Sequence, residues 1–376
     1  MKFSKQDTNI AKTVAIIAMY IHHLFTSKET YAGFSFSFTP LNETQTIALA
    51  QCCKICVAIF VFLTAYGITI SFNNRERKGG GTLKQLYMDN FCRYIKLISG
   101  LFVIYILAQC FSFLGRSTAE VYGGGIQRIV FTMIDLLGMS TIFQTPSFNN
   151  TWWYISLAVT ILLLMPLLYK SHKKIKLGGV LTLLTLIIPR MLSLEFTPLI
   201  WYLPSMCLGI LFADNDLFVK WYEIKLCKRS ALNHLCKTAL CIALLFGFFC
   251  WRHKTGRYLD ITDSAMTILI IYICFELFAE RGETLRNIAG FIGKYSMNMF
   301  LAHTFIKAYY FMEFTYSFGN AWLILFVLVV VTLALSVTIE FLKKISDFNR
   351  LIDKAIYRLQ KRYGTAVSGN GSEVQG

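Results

Sequence analysis

Apolar runs of helix length recur along most of this chain, and that recurrence constrains the fold more than any other feature. A bilayer-crossing helix needs about 20 mostly apolar residues. Segments that meet this need fall near 9–26, 45–72, 92–114, 151–169, 177–193, 198–213, 236–251, 260–279, 287–312 and 320–342. Length alone would predict two or three soluble domains. With 55% hydrophobic and only 15% charged residues, the composition predicts one integral membrane unit instead. The expectation is an all-α bundle of about ten transmembrane helices. The stretch from Gly125 to Pro146, which carries Arg128 and Asp135, fits a re-entrant or interfacial helix rather than a span.

The loops set the orientation. With the N-terminus in the cytoplasm, roughly 27 of the 37 lysines and arginines fall on inner loops and about eight on outer ones, the bias expected of a membrane protein. An even number of spans then places both termini in the cytoplasm. Topology accounts for most of the net charge of +16, so the basic excess does not call for nucleic acid. The segment 343–363 has Ile345, Phe348, Leu351, Ile352, Ile356 and Leu359 at helical spacing, which predicts a basic amphipathic helix on the inner leaflet. Residues 364–376 are polar and predicted disordered, leaving 1–342 as the membrane domain. The run from Ala11 is too long for a cleaved signal peptide and lacks a clear cleavage site.

Most of the eleven cysteines sit in apolar runs and behave as small hydrophobes. Cys53 and Cys56 form a C-x-x-C without a second pair at metal spacing, so no metal is expected. The sequons at 42–44 and 149–151 fall on outer loops and have meaning only in a glycosylating host.

Ionisable residues inside spans are costly and mark functional sites by default. Here they are Lys12, His22, His23, Lys54, Glu276, Lys294, His303 and Lys307. At about 100° and 1.5 Å per residue, Lys12 and His23 share one helix face, about 16 Å apart, with Ile16 and Met19 between them. His22 is turned about 100° away. A snorkelling lysine and interfacial histidines fit the same pattern. Arg93 and Lys96 share a face at the start of the third span and could hold a phosphorylated ligand or anionic lipid. Tyr66-Gly67 reads as a close-packing point, Trp152 and Trp153 as aromatic-belt residues, and His303 as either a site residue or a hydrogen-bonded structural one.

In order along the chain, these stretches resemble the acyltransferase-3 family of membrane acyltransferases. The family's opening Arg, ten residues, His matches Lys12 and His23. Its "FFxLSGyL" is similar to residues 60–68, and its Arg-x-x-Arg to Arg93 through Lys96. Its "WfLs…P" resembles Trp153 through Pro166, and its "GkxSlxxYLxH" Gly293 to His303. The likeness runs from about residue 8 to 342. It departs at Lys12 and Lys96, where the family has arginines, and at Asn9, where an acid is common; lysine keeps the charge but not the bidentate fork.

The resemblance implies a multi-pass cell-membrane enzyme that moves an acetyl or similar short acyl group from cytoplasmic acetyl-CoA, or another acyl-CoA, to a hydroxyl of an exported polysaccharide or glycolipid. His23 would be the general base or acyl carrier and Lys12 its partner, guiding the pantetheine arm or the thioester. Arg93 and Lys96 would bind the CoA phosphates, and His303, Lys307 and Trp153 the acceptor. A homo-oligomer fits equally well. A transporter of a glycan or lipid-linked intermediate fits the same intramembrane cations, and an inactive scaffold fits the two lysine departures.

Overall fold

The computed structural model describes residues 3–175, 178–195, 197–278 and 280–363; the expected disordered tail lies outside them. The described residues form sixteen α-helices: α1 (Lys5–Phe25), α2 (Glu43–Cys52), α3 (Cys56–Arg77), α4 (Leu83–Cys110), α5 (Thr118–Tyr122), α6 (Gly125–Leu136), α7 (Trp153–Ile175), α8 (Gly178–Met191), α9 (Pro198–Asp214), α10 (Leu217–Glu223), α11 (Ser230–Thr255), α12 (Leu259–Phe278), α13 (Glu283–Thr304), α14 (Met312–Tyr316), α15 (Ala321–Ile345) and α16 (Phe348–Arg362). A helix coincides with each of the ten expected spans. Six stretches are long and apolar enough to cross a membrane: Glu43–Arg77, Leu83–Cys110, Asn150–Lys174, Ser230–Thr255, Leu259–Phe278 and Ala321–Ile345. The apolar stretches in α8 and α9 are shorter. α1 and α13 have the length but carry too many polar groups.

Those two polar helices are partners. Ser4 and Asp7 cap α1 reciprocally, and Asp7 also pairs with Arg286 of α13 at 2.6 Å. Thr13 donates to the Ala289 carbonyl at 2.8 Å and accepts from the Gly293 amide at 2.9 Å. Such contact needs small residues on α13: a Cβ on Gly293 would lie 1.9 Å from the Asn9 carbonyl oxygen. Ala11, Ala15, Ile16, Tyr20 and Leu24 are wholly buried, so α1 runs through the interior of the bundle. Its polarity follows from facing protein instead of lipid.

Two local expectations change, and the one for α6 does not. Gly67 is not a packing point, because a Cβ there would meet nothing within 4 Å; the close approach to α3 comes from Gly209 of α9, whose Cβ would stand 2.6 Å from the Phe62 carbonyl oxygen. Trp152 is not an interfacial belt residue. It is 1% exposed and its indole donates to the Leu301 carbonyl at 3.2 Å. α6 has twelve residues, about 18 Å, too short to span. Ile126, Ile129 and Met133 are exposed on it, and its buried Asp135 accepts from Tyr122, Ser147 and the Phe148 amide.

Carboxylates on α12 are spent on neighbouring cations, as buried charges must be. Asp260 binds Arg190 at 2.7 Å, Asp263 binds Arg252 at 2.8 Å, and Glu276 meets His234 and Lys237. α16 packs beside α4 and α15 with Ile356 buried. All eleven cysteines are free, and no described group of three or more His, Cys, Asp or Glu residues could hold a metal.

Candidate active site

The C-terminal end of α1 is where polar chemistry converges. The last carbonyls of a helix have no partner within it, and here side chains from the far end of the sequence supply the partners. Lys307 donates to the His23 carbonyl at 2.8 Å and Tyr316 to the Leu24 carbonyl at 3.2 Å. Lys307 reaches that carbonyl from a π-helical turn, Phe305–Tyr310, that follows α13 directly. Such turns are rare and frequent at functional sites. A cation is also favourable at a helix C-terminus.

His303 occupies the last turn of α13 and is fully buried. Its ring stands 5.0 Å from that of His23, centroid to centroid. Its Nδ1 lies 2.7 Å from the Phe300 carbonyl. A carbonyl only accepts, so Nδ1 carries the proton and Nε2 accepts from the Thr304 hydroxyl at 3.2 Å. Thr304 lies 3.1 Å from Thr151, whose hydroxyl donates to Asn149 Oδ1 at 2.8 Å. Tyr20 stacks on His303 from the other side at 5.4 Å. The His303 ring is therefore fixed on several sides, and it fixes His23 in turn.

His23 itself is partly accessible. It lines a cavity of about 400 Å³ together with His22, Lys54, Trp153, Tyr154 and Tyr202. The His22 ring is committed to the backbone, its Nδ1 donating to the Ala50 carbonyl at 2.9 Å. The cavity has the size and largely aromatic lining of a small-ligand site with a few convergent polar groups.

The structure thus joins some expected site residues and separates others. His23 and Trp153 line the same cavity. His303 and Lys307, expected on the acceptor side, adjoin His23 instead, the one ring to ring and the other bound to its backbone carbonyl. Lys12 does not line this cavity, which reaches along α1 only as far as Met19; the wholly buried Ile16 closes the face between Met19 and Lys12. Arg93 is partly buried, bonded to Asn90 at 2.8 Å and to Ser71 at 2.7 Å. Lys96, three residues on along α4, is 60% exposed and pairs with Asp353 of α16 at 2.9 Å.

A track missing from the sequence reading lies on α3. From Cys53 to Thr69 the only residues left unburied are Lys54, Val57, Phe60, Thr64 and Gly67, and Ser71 continues the series. Their spacing of three and four places them on one helix face. Val57 and Phe60 belong to the His23 cavity, and Ser71 touches Arg93. From Phe60 to Ser71 the rise is about 16 Å. A lipid-facing stripe would be apolar throughout; this one holds Lys, Thr, Gly and Ser.

Residues 6–341 match the acyltransferase-3 family model, described as an acyltransferase domain. The chain belongs to this family. The match spans nearly the whole bundle, so the helices above constitute a membrane acyltransferase domain, and transfer of an acyl group is the activity its family carries. No curated protein and no solved structure matches the chain.

Tyr154, Thr151, Trp201 and Tyr202 line this site too, beyond the residues expected there. Each lies in an aromatic-rich segment, "NTWWY" or "LIWYLP", and that local density was the available signal. Losing the α1 cap has a testable effect. Lys307→Met is expected to reduce transfer by up to about 10²-fold, the cost of displacing a reacting group by 1 Å, with expression maintained. Rates measured on the solubilised protein check it, and unchanged rates would make the cap dispensable.

Proposed function

We propose that this acyltransferase moves an acetyl or similar short acyl group from acyl-CoA on the cytoplasmic side to a hydroxyl of an extracytoplasmic or exported glycan. The observation that carries this reading is His23: a partly accessible imidazole in the wall of an aromatic-lined cavity, with the His303 ring beside it and Lys307 bound to its backbone carbonyl. An imidazole can take a proton near neutral pH. In the proposed step, His23 takes the acceptor hydroxyl proton as that oxygen attacks the thioester carbonyl. The C–S bond breaks, an ester forms, and the departing CoA thiolate recovers the proton from His23. The homo-oligomeric state and the plasma membrane as location remain part of this proposal.

The α3 track supports a donor that enters from the Arg93 end. Arg93 is the residue suited to the CoA phosphates, since guanidinium groups grip phosphate bidentately, and its Ser71 contact ties it to the track. Lys96, engaged by Asp353, would need release from α16 before it could join. The pantetheine arm would lie along Ser71, Gly67 and Thr64, delivering the thioester to the cavity. At Gly67 there is no side chain, and a Cβ would meet nothing within 4 Å.

Gly67→Ala should therefore leave transfer near its normal rate. Gly67→Trp should raise the KM for acetyl-CoA about tenfold or more, the penalty of obstructing a fitted ligand by somewhat over 1 kcal/mol. Steady-state kinetics on purified protein in nanodiscs measures both. An unaltered KM in the tryptophan variant would remove the track from the donor path.

A further inference from the structure

The His23 cavity does not end at His23. It shares His22 and Lys54 with a second cavity of about 390 Å³ that Gln51, Arg252 and His253 also line. A third, of about 290 Å³, shares Trp201 with the first and Gly256 and Leu259 with the second, and adds Arg257 and Tyr258. Through these shared walls the three adjoin one another as a cleft, with more room than a single sugar ring or short acyl group needs.

Asp260 lines this cleft paired with Arg190, but other cations along it have no carboxylate partner. The 3₁₀ turn Cys53–Ile55 interrupts the helix between α2 and α3 and carries Lys54. The Lys54 ammonium stands 5.3 Å from the Trp201 ring centre, and it forms no ion pair among the described residues. The nearby carboxylates are already taken: Asp263 by Arg252 and Asp260 by Arg190. Arg257 and His253 are exposed and likewise have no carboxylate partner among the described residues.

The position of these cations is unusual for the proposed orientation. The last turn of α11 carries Arg252 and Lys254, and the connection to α12 carries Arg257, on the outer side, where membrane proteins are otherwise poor in lysine and arginine. Topology does not account for them. Arg252 is answered by Asp263, and ligand charge accounts for the unpaired Arg257, because an excess of one sign of charge between low-dielectric walls concentrates ligands of the other sign. Trp153, Trp201 and Tyr258 add flat faces suited to the apolar faces of sugar rings.

Resting on the acyltransfer reading of the His23 cavity, we propose that the acceptor is an anionic, carboxylate-bearing glycan, bound along this cleft as a segment of more than one sugar with Lys54 and Arg257 on its carboxylates.

The test uses the full chain in zwitterionic nanodiscs and two probes, trigalacturonate and the same trimer with its carboxyls reduced. Calorimetric titration should show trigalacturonate binding at least about tenfold more tightly than the neutral trimer. Lys54→Gln and Arg257→Gln should each weaken it about tenfold, with Lys54→Arg retaining it. Binding of the neutral trimer should be unaffected by these substitutions. Equal affinity for the two trimers overturns the proposal, as does a preference for trigalacturonate that both glutamine variants leave intact. Acetyl-CoA cleavage by the same preparations reads the parent proposal separately. His23-dependent cleavage alongside equal trimer affinities removes the acceptor class alone, whereas no His23-dependent cleavage removes both.

Discussion

Replacing His23 by alanine is expected to lower acyl transfer by about 10²–10⁴-fold, the range that a positioned general base contributes. The protein should remain folded and reach the membrane. His23 is partly accessible, and its side chain fills the wall of a cavity and not a closed core. Three features hold its backbone without the imidazole: α1 is packed along α13, Lys307 binds the residue-23 carbonyl, and Tyr316 binds the next carbonyl. The neighbouring His22 provides the internal control. Its ring belongs to the same cavity but its Nδ1 is committed to Ala50, so His22→Ala should cost far less. Radiolabelled acetyl transfer by purified variants measures both. A His23→Ala enzyme with wild-type rates would exclude any chemical role for this imidazole.

The largest expected loss of stability comes from Gly293. In Gly293→Ala the new methyl would stand 1.9 Å from the Asn9 carbonyl oxygen, 2.8 Å from its carbon and 3.0 Å from the Thr13 amide nitrogen. All three are backbone atoms of α1, so no side chain can swing aside and the two helices must separate. Overpacking a filled interior costs about 1–3 kcal/mol and sometimes more. Here the separation would also lengthen the Thr13 hydrogen bonds to Ala289 and Gly293. Gly290→Ala should be milder, because its nearest contact is the movable Gln6 amide at 2.4 Å. Gly67→Ala meets nothing and exchanges glycine for a better helix former, worth about 1 kcal/mol at most. Thermal unfolding in detergent should rank the three with Gly293→Ala lowest. Equal melting temperatures for Gly293→Ala and Gly67→Ala would refute the close approach of α1 and α13. Such a separation would also pull His23 from His303, because those residues end the same two helices.

Helix positions were legible in the sequence because lipid and a helical core both demand long apolar runs, and those runs survive in the local composition. What composition could not convey was which helices face lipid. α1 and α13 have helix length but interior polarity, and only their mutual packing through Thr13, Gly290 and Gly293 explains that. The shared face of Lys12 and His23 follows from helical geometry, yet periodicity could not tell that Ile16 is buried between them while Met19 opens onto the cavity. Nor could spacing within one helix reveal that Lys307 would bind the backbone of His23, 284 residues away. The partner of Lys96 was hidden for a similar reason. Two residues three apart share a face, but α16 returns to the base of α4 and draws Lys96 outward onto Asp353.

The central claim is that this chain esterifies a glycan hydroxyl at His23. Its most direct measurement is the ester-linked acyl content of surface glycan from cells expressing the wild-type protein, the His23→Ala variant, or neither. The account predicts acyl esters on the glycan only with the wild type, with equal amounts of glycan in all three. Acyl esters undiminished in the His23→Ala cells, or glycan lost from the surface instead of deacylated, would contradict it.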